Sequence, residues 1–181
     1  FQAEDGIRDC LLSRGLGDVY KRQVLLVGCE STGPKVTTDD EKSQAILSAY
    51  DGYLANEYSW AEELYSDDIT VYINSVEAID KEANVAGLAA HHDLFSDISI
   101  SSPGGEGGAY VQTTSYENDL GVWSHAWFIW GGTGKVTGTT VQIPCHVAYQ
   151  WNDDGSVSQT WLFSDQSSLI AEVNAAQAVT E

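Results

Sequence analysis

TTVQIPCHVAYQWNDDGSVSQTWLFSDQSSLI, residues 139–170, reads as two long strands joined by a tight turn. Asn152-Asp153-Asp154-Gly155 supplies the turn, because Asp-Gly accepts the positive φ that a short hairpin loop needs. Alternation puts Trp161, Phe163 and Asp165 on one face of the second strand. In the first strand His146 shares a face with Gln142, Ala148 and Gln150, opposite Tyr149 and Trp151, unless Pro144 marks a bulge that resets the parity. A histidine in one arm and a carboxylate at the end of the other make the hairpin a candidate site as well as a fold element.

Upstream, apolar residues recur at Ile46, Ala49, Tyr50, Tyr53 and Leu54, a helical stripe. It predicts a helix from about Asp39 to Asn56, opened by a Thr38/Glu41 capping box. Ser59 and Glu62 repeat the box before a short helix, Trp60 to Tyr65. Ile69 to Ile73 is rich in β-branched residues and reads as a strand. A third helix, Asp80 to Phe95, has an inner stripe of Val85, Leu88, Ala89, His92 and Phe95, which turns His92 inward and leaves His91 nearer the rim. Strands are expected over Ile98–Ser101, Tyr110–Tyr116 and Trp123–Trp130. Gly131–Gly138 reads as a turn, and Gln166–Val173 as a short helical turn before a frayed tail, 175–181. This order is an α+β pattern: a strongly curved, mostly antiparallel sheet with about three N-terminal helices packed on one face.

The 181 residues carry a net charge of −19, which excludes nucleic acid as a partner, since nothing could neutralise its phosphates. Four of the eight basic residues, every arginine among them, and only four of the 27 acids lie in residues 1–23. That segment resembles translated sequencing-adapter read-through and is set aside from fold reasoning. Leu26-Val27-Gly28-Cys29 resembles a lipobox, which makes 24–40 the remnant of a lipoprotein signal peptide with its tether, Cys29 the lipidation site and the only link to a membrane, and the location extracytoplasmic. Cys145 is the only cysteine left for the domain, so no disulfide framework is expected, and no Cys/His spacing fits a metal. Neither a metal nor a cofactor is expected.

Three pieces resemble the SnoaL-like branch of the NTF2-like superfamily: Trp60–Ile69 (WAEELYSDDI), the helix near Val85 to Phe95, and His146–Val157 followed by Trp161-Leu162-Phe163-Ser164-Asp165. The resemblance covers about Lys42 to Val173 and implies an NTF2-like cone over residues 41–174. It further implies a pocket for a small, mostly apolar molecule, with acid/base isomerase, cyclase or hydrolase chemistry. Asp165 stands where the family often carries its acid/base carboxylate; the competing reading is a solvated helix cap. His146 and His92 are candidates for the second catalytic role. Tyr72, Asn74, Trp127, Tyr149, Trp161 and Phe163 are candidate substrate-binding residues. Tyr72-Ile73-Asn74 is similar to the Tyr-x-Asn of limonene-epoxide-hydrolase-like members, but the Arg-x-Asp that completes their site has only His125-Ala126-Trp127 as a counterpart. The residues do not decide between an enzyme and a non-catalytic ligand-binding or dimerisation module. A homodimer would form through the sheet.

Overall fold

The computed structural model describes residues 33–117 and 119–180, which fall in one compact unit, Thr32–Glu181. The segment 1–23 and the lipobox with Cys29 lie outside the described residues. In chain order the elements are β1 (Lys35–Thr37), α1 (Glu41–Leu54), α2 (Trp60–Leu64), β2 (Tyr65–Ile73), β3 (Ala78–Ile79) and α3 (Lys81–Leu94). They continue with β4 (Phe95–Ser101), β5 (Tyr110–Ser115), β6 (Val122–Gly134), β7 (Thr140–Trp151), β8 (Val157–Ser164) and α4 (Ser167–Thr180).

All eight strands join one sheet in the order β1-β5-β6-β7-β8-β2-β3, with β4 also on β6. Every pair is antiparallel except β2–β8. The long β6 carries β5 on its first half and β4 on its second, while β7 follows its whole other edge. The expected hairpin is present: Gly155 has φ 89°, and β7 and β8 pair from Cys145–Ser164 to Trp151–Val157. The α+β architecture, with a mostly antiparallel sheet and helices against one face, is as expected. The core lies between that face and the helices. Ile46, Ala49 and Tyr53 of α1 and Leu64 of α2 meet Ala126, Phe128, Trp130, Val147 and Tyr149.

A chain of buried hydroxyls fixes α1 on the sheet. Trp151 Nε1–H donates to Ser124 Oγ (2.8 Å); Ser124, Thr113 and Ser43 follow at 2.7 and 2.9 Å; Ser43 Oγ–H donates to Asp40 Oδ2 (2.8 Å). Each hydroxyl has one hydrogen, so the indole donor at one end and the carboxylate at the other set the direction of every bond between them. Asp40 Oδ1 meanwhile caps α1, accepting from Lys42 N and Ser43 N. Burial pushes the Asp40 carboxyl up, but the bonds from Ser43, Thr37 and Thr113 outweigh it and bring it down to about 2.

Five local expectations differ. Asp40, not Thr38, is the N-cap of α1, and Ser59 makes no side-chain cap to α2. Residues 131–134 continue β6 rather than turning. A side chain at Gly131 would meet Ser99, and one at Gly132 would meet Trp130 and Phe95, so glycine here allows close packing. The tail forms α4 through Thr180, where Ala-rich sequence favours helix and Glu172, 2% exposed, accepts from Val136 N and Thr137 N. Finally, Lys35–Thr37, within the expected tether, pairs with β5 as an edge strand.

Asp40→Ala is expected to lower unfolding free energy by about 2–3 kcal/mol, since both the cap and the end of the hydroxyl chain go. Asp40→Asn keeps a good cap but turns an N–H donor towards the Ser43 hydroxyl. It should still cost about 1 kcal/mol in urea denaturation. Full recovery in the Asn variant would show that the chain contributes nothing beyond the cap.

Candidate functional site

Between the inner sheet face and the helices lies a cavity of about 310 Å³, at the lower end of the small-molecule range. Its apolar wall includes Leu64, Val71, Leu88, Phe128, Ile143 and Val147. Its polar groups are all formally uncharged in their ordinary neutral forms: the hydroxyls of Tyr50, Tyr53, Tyr65 and Tyr149, the imidazole of His91, the Cys145 thiol, and amides and hydroxyls such as those of Asn84, Gln166 and Ser164. Among the described residues no Asp, Glu, Lys or Arg lines it.

His91 comes from the last turn of α3, and its orientation is set from below. Trp130 Nε1–H donates to Tyr53 Oη (2.7 Å), and Tyr53 Oη lies 3.0 Å from His91 Nδ1. The triad is fully satisfied when Tyr53 donates to Nδ1 and His91 holds its proton on Nε2; in the other tautomer His91 Nδ1–H donates to Tyr53, Nε2 is a free base, and the Tyr53 hydrogen needs another acceptor. Moving from one to the other makes the pair a proton donor or acceptor. Burial, with a smaller contribution from His92, pushes His91 down to about 4, so its imidazole is neutral at physiological pH. Burial likewise raises Tyr53, Tyr50, Tyr65 and Tyr149 well above the usual phenol range, and it holds the Cys145 thiol at about 11. Tyr50 and Tyr149 lie hydroxyl to hydroxyl at 2.8 Å.

The structure relocates most of the residues expected from sequence. Tyr149 lines the cavity. Asp165 does not: it is exposed, accepts from Ser167 N (3.0 Å) at the start of α4, and is held below the usual carboxylate range by that backbone bond and the Ser167 side chain. A catalytic acid needs the opposite shift. His146 points to the outer sheet face. There it bonds His125 (Nε2 to Nδ1, 3.0 Å) and lies in a ladder of rings with Trp127 and Phe163. Trp127 and Phe163 are therefore outer-face residues too. Tyr72 and Trp161 stack on each other on that face, 3.9 Å apart and within 8° of parallel. Asn74, at φ 49°, clamps the end of β8: its amide bonds the carbonyl (2.8 Å) and N–H (3.0 Å) of Ser164. His92 leaves the cavity to His91 and bonds the Tyr53 carbonyl at the end of α1 (2.8 Å).

Two one-residue errors of phase account for Trp161, Phe163, Asp165 and His92. On β8 the inner residues are Thr160, Leu162 and Ser164, so Trp161, Phe163 and Asp165 face away. On α3 the lining residues Asn84, Gly87, Leu88 and His91 form an i, i+3, i+4, i+7 stripe, one position before the apolar stripe. Three of its four members are polar or lack a side chain, which hides it from a hydrophobicity reading. The missed residues Tyr50 and Tyr53 were visible as members of the α1 stripe, though only as core.

No family model matches the chain, and no curated protein matches it. Solved structures do. AclR from Streptomyces galilaeus, a candidate hydroxylase, matches with a TM-score of 0.56 at 15% identity over 76% of this chain and 96% of its own. IdmH from Streptomyces antibioticus, a candidate polyketide cyclase, matches at 0.54 and 13% identity over 75% of this chain and 99% of its own. A candidate SnoaL-like polyketide cyclase from Jannaschia sp. CCS1 gives 0.54 at 15% over 72% and 90%. At these identities the likeness is one of fold: the chain has the SnoaL-like, NTF2-like fold.

His91 also makes a pH prediction. Unfolded, it protonates near the ordinary 6.5; folded, only near 4. The unfolded state binds the extra proton between those values, so the stability from neutral His91 is present above pH 6.5 and is lost as pH falls towards 4. His125 and His146, also lowered by burial, act in the same direction. Urea midpoints should fall from pH 7 to pH 5, and less steeply for His91→Gln than for the parent chain. Equal slopes would show that His91 titrates like a solvated histidine.

Proposed function

We propose, from a SnoaL-like fold whose inner face encloses an uncharged cavity, that the protein takes up a small, neutral, mostly apolar molecule there and that proton exchange with it runs through His91. The observation that carries the reading is the Trp130–Tyr53–His91 triad, among the described residues the one hydrogen-bonded relay on the cavity wall that contains an imidazole. With Nε2 free, His91 takes the carbon-bound proton to give an enolate and an imidazolium, and the imidazolium returns a proton, exchanged with solvent, to carbon, so no buried charge is present in the resting state. The acid/base role expected of Asp165 and His146 thus moves to His91 with Tyr53. The structural neighbours described as candidate polyketide cyclases are consistent with such chemistry.

A second reading, a non-catalytic binding pocket, is favoured by one feature. No carboxylate lines the cavity among the described residues, and an imidazole with a pKa of about 4 is a weak base for a carbon-bound proton. Deuterium exchange separates the two. α-Tetralone incubated with the protein in D₂O should exchange its C2 hydrogens faster than in buffer. His91→Gln should lose about 10²-fold or more of that acceleration while still binding the ketone. Binding without exchange above buffer would leave the pocket reading and remove the catalytic one.

A further inference from the structure

The outer sheet face, away from the cavity, holds two of the chain's four histidines. His125 Nδ1 and His146 Nε2 lie 3.0 Å apart, with the ring planes within 13° of each other. With planes this close and nitrogens this near, the 5.3 Å between ring centres means that the rings lie end to end, nitrogen facing nitrogen, and not face to face. Strand pairing explains the geometry. His125 stands opposite Ala148 and His146 opposite Trp127, so the histidines are diagonal neighbours, and the small Ala148 side chain leaves His146 room to lean across. They are 21 residues apart in the chain, which is why no metal-ligand spacing shows in the sequence. Both rings are half-buried, and burial, helped at His125 by the neighbouring His146, lowers both. They are therefore neutral at physiological pH, the form in which imidazole is a ligand. Across β5, β6, β7 and β8 this face carries no Asp, Glu, Lys or Arg, so no carboxylate or ammonium competes for either ring.

We propose that His125 and His146 form a two-imidazole site for a late divalent transition-metal ion, nickel(II) or copper(II). Metal–nitrogen bonds of about 2.1 Å at a right angle place their two nitrogens about 3.0 Å apart, the separation already present here. The rings need only tip, so that the two nitrogens, which now share one hydrogen, aim at a common point on the solvent side. No proton is gained or lost. The two neutral rings carry two hydrogens, and once the ion takes the facing nitrogens, one hydrogen sits on His125 Nε2 and one on His146 Nδ1. Imidazole donors without a carboxylate suit nickel and copper, whereas magnesium and calcium prefer oxygen. Among the described residues no group of three or more His, Cys, Asp or Glu surrounds one point, so water fills the ion's other positions. The net charge of −19 draws cations to the chain, and the pair gives a late transition metal a place to settle on it.

Nickel(II) is the probe, with magnesium in excess to occupy the carboxylates. Titration calorimetry reads affinity and ratio. NMR of the protein labelled with ¹⁵N in histidine alone reads which of the four imidazoles the paramagnetic ion broadens. One ion should bind per chain, and the His125 and His146 signals should broaden first while those of His91 and His92 stay sharp. Each single variant, His125→Gln or His146→Gln, should bind nickel at least about tenfold more weakly, because one imidazole is no longer backed by a second on the same ion. Broadening of all four imidazoles alike, or of none, overturns the site. That reading is made on the parent protein, so it stands whether or not the variants fold. A single variant with intact circular dichroism and the parent's affinity also overturns it, as does displacement of nickel by the excess magnesium. One ion per two chains overturns a site complete within one chain and assigns the metal to a contact between copies.

Discussion

The hydrogen-bonded chain from Trp151 through Ser124, Thr113 and Ser43 to Asp40 sets where α1 can sit. It crosses three neighbouring strands and ends on the residue that caps the helix, so it ties the start of α1 to the inner face of β5, β6 and β7. Ser43, Ile46, Tyr50 and Tyr53 lie at i, i+3, i+7 and i+10, one face of one helix. Fixing Ser43 therefore fixes both tyrosines in the cavity. A slip of one residue would turn that face by about 100° and strand every hydroxyl in the chain. Ser43 and Ser124 are completely buried, and such polar groups are tolerable only while each is paired.

The fold was legible where local chemistry and tertiary demand agree. The Asp-Gly turn, the α1 stripe and the β-branched run at 69–73 specify their elements with little help from elsewhere. Legibility failed where the partner lies far along the chain. Residues 131–134 look like a loop because glycine is a poor strand former, yet β4 and β7 pair on both sides of them. The helix after Ser167 reads as a frayed tail because the groups that hold Glu172 belong to the turn after β6, some 35 residues away. Thr38 is a sound cap by local sequence, but Asp40 can serve the helix amides and the hydroxyl chain together.

The candidate site was less legible, for a reason of phase. In a strand, one residue decides which face a side chain takes. The aromatic residues of β6 and β8 suggest a pocket wall, since large rings are usually inside. Here the inner face is crowded by α1, α2 and α3, and it takes Ala126 and Val147 alongside the rings of Phe128 and Trp130. Trp127, Trp161, Phe163 and His146 go outward, where cross-strand pairing with one another covers part of their surface. Across β5, β6, β7 and β8 that outer face carries no Asp, Glu, Lys or Arg, while β2 adds the exposed Asp67 and Asp68. Tyr149 lies opposite His146 on β7, as alternation requires, so the two could not both face the cavity, and it is Tyr149 that lines it.

One physical effect unites the groups that remain in the cavity. Burial penalises the charged form, so it lowers His91 and raises the tyrosines and Cys145, driving each to neutrality. The same penalty applies to whatever enters. An anion would lose hydration and find no cation on the wall, and the net charge of −19 would oppose its approach. A cation would be drawn to the surface but would meet no carboxylate inside. The selection for an uncharged occupant thus comes from what the wall omits, while its hydroxyl and imidazole hydrogens decide which uncharged occupant gains most. Asp165 could not have served this cavity by a small shift of position. A carboxylate in such surroundings would itself be driven towards its protonated form, whereas Asp165 is exposed and held below the usual carboxylate range by its bond from the first amide of α4.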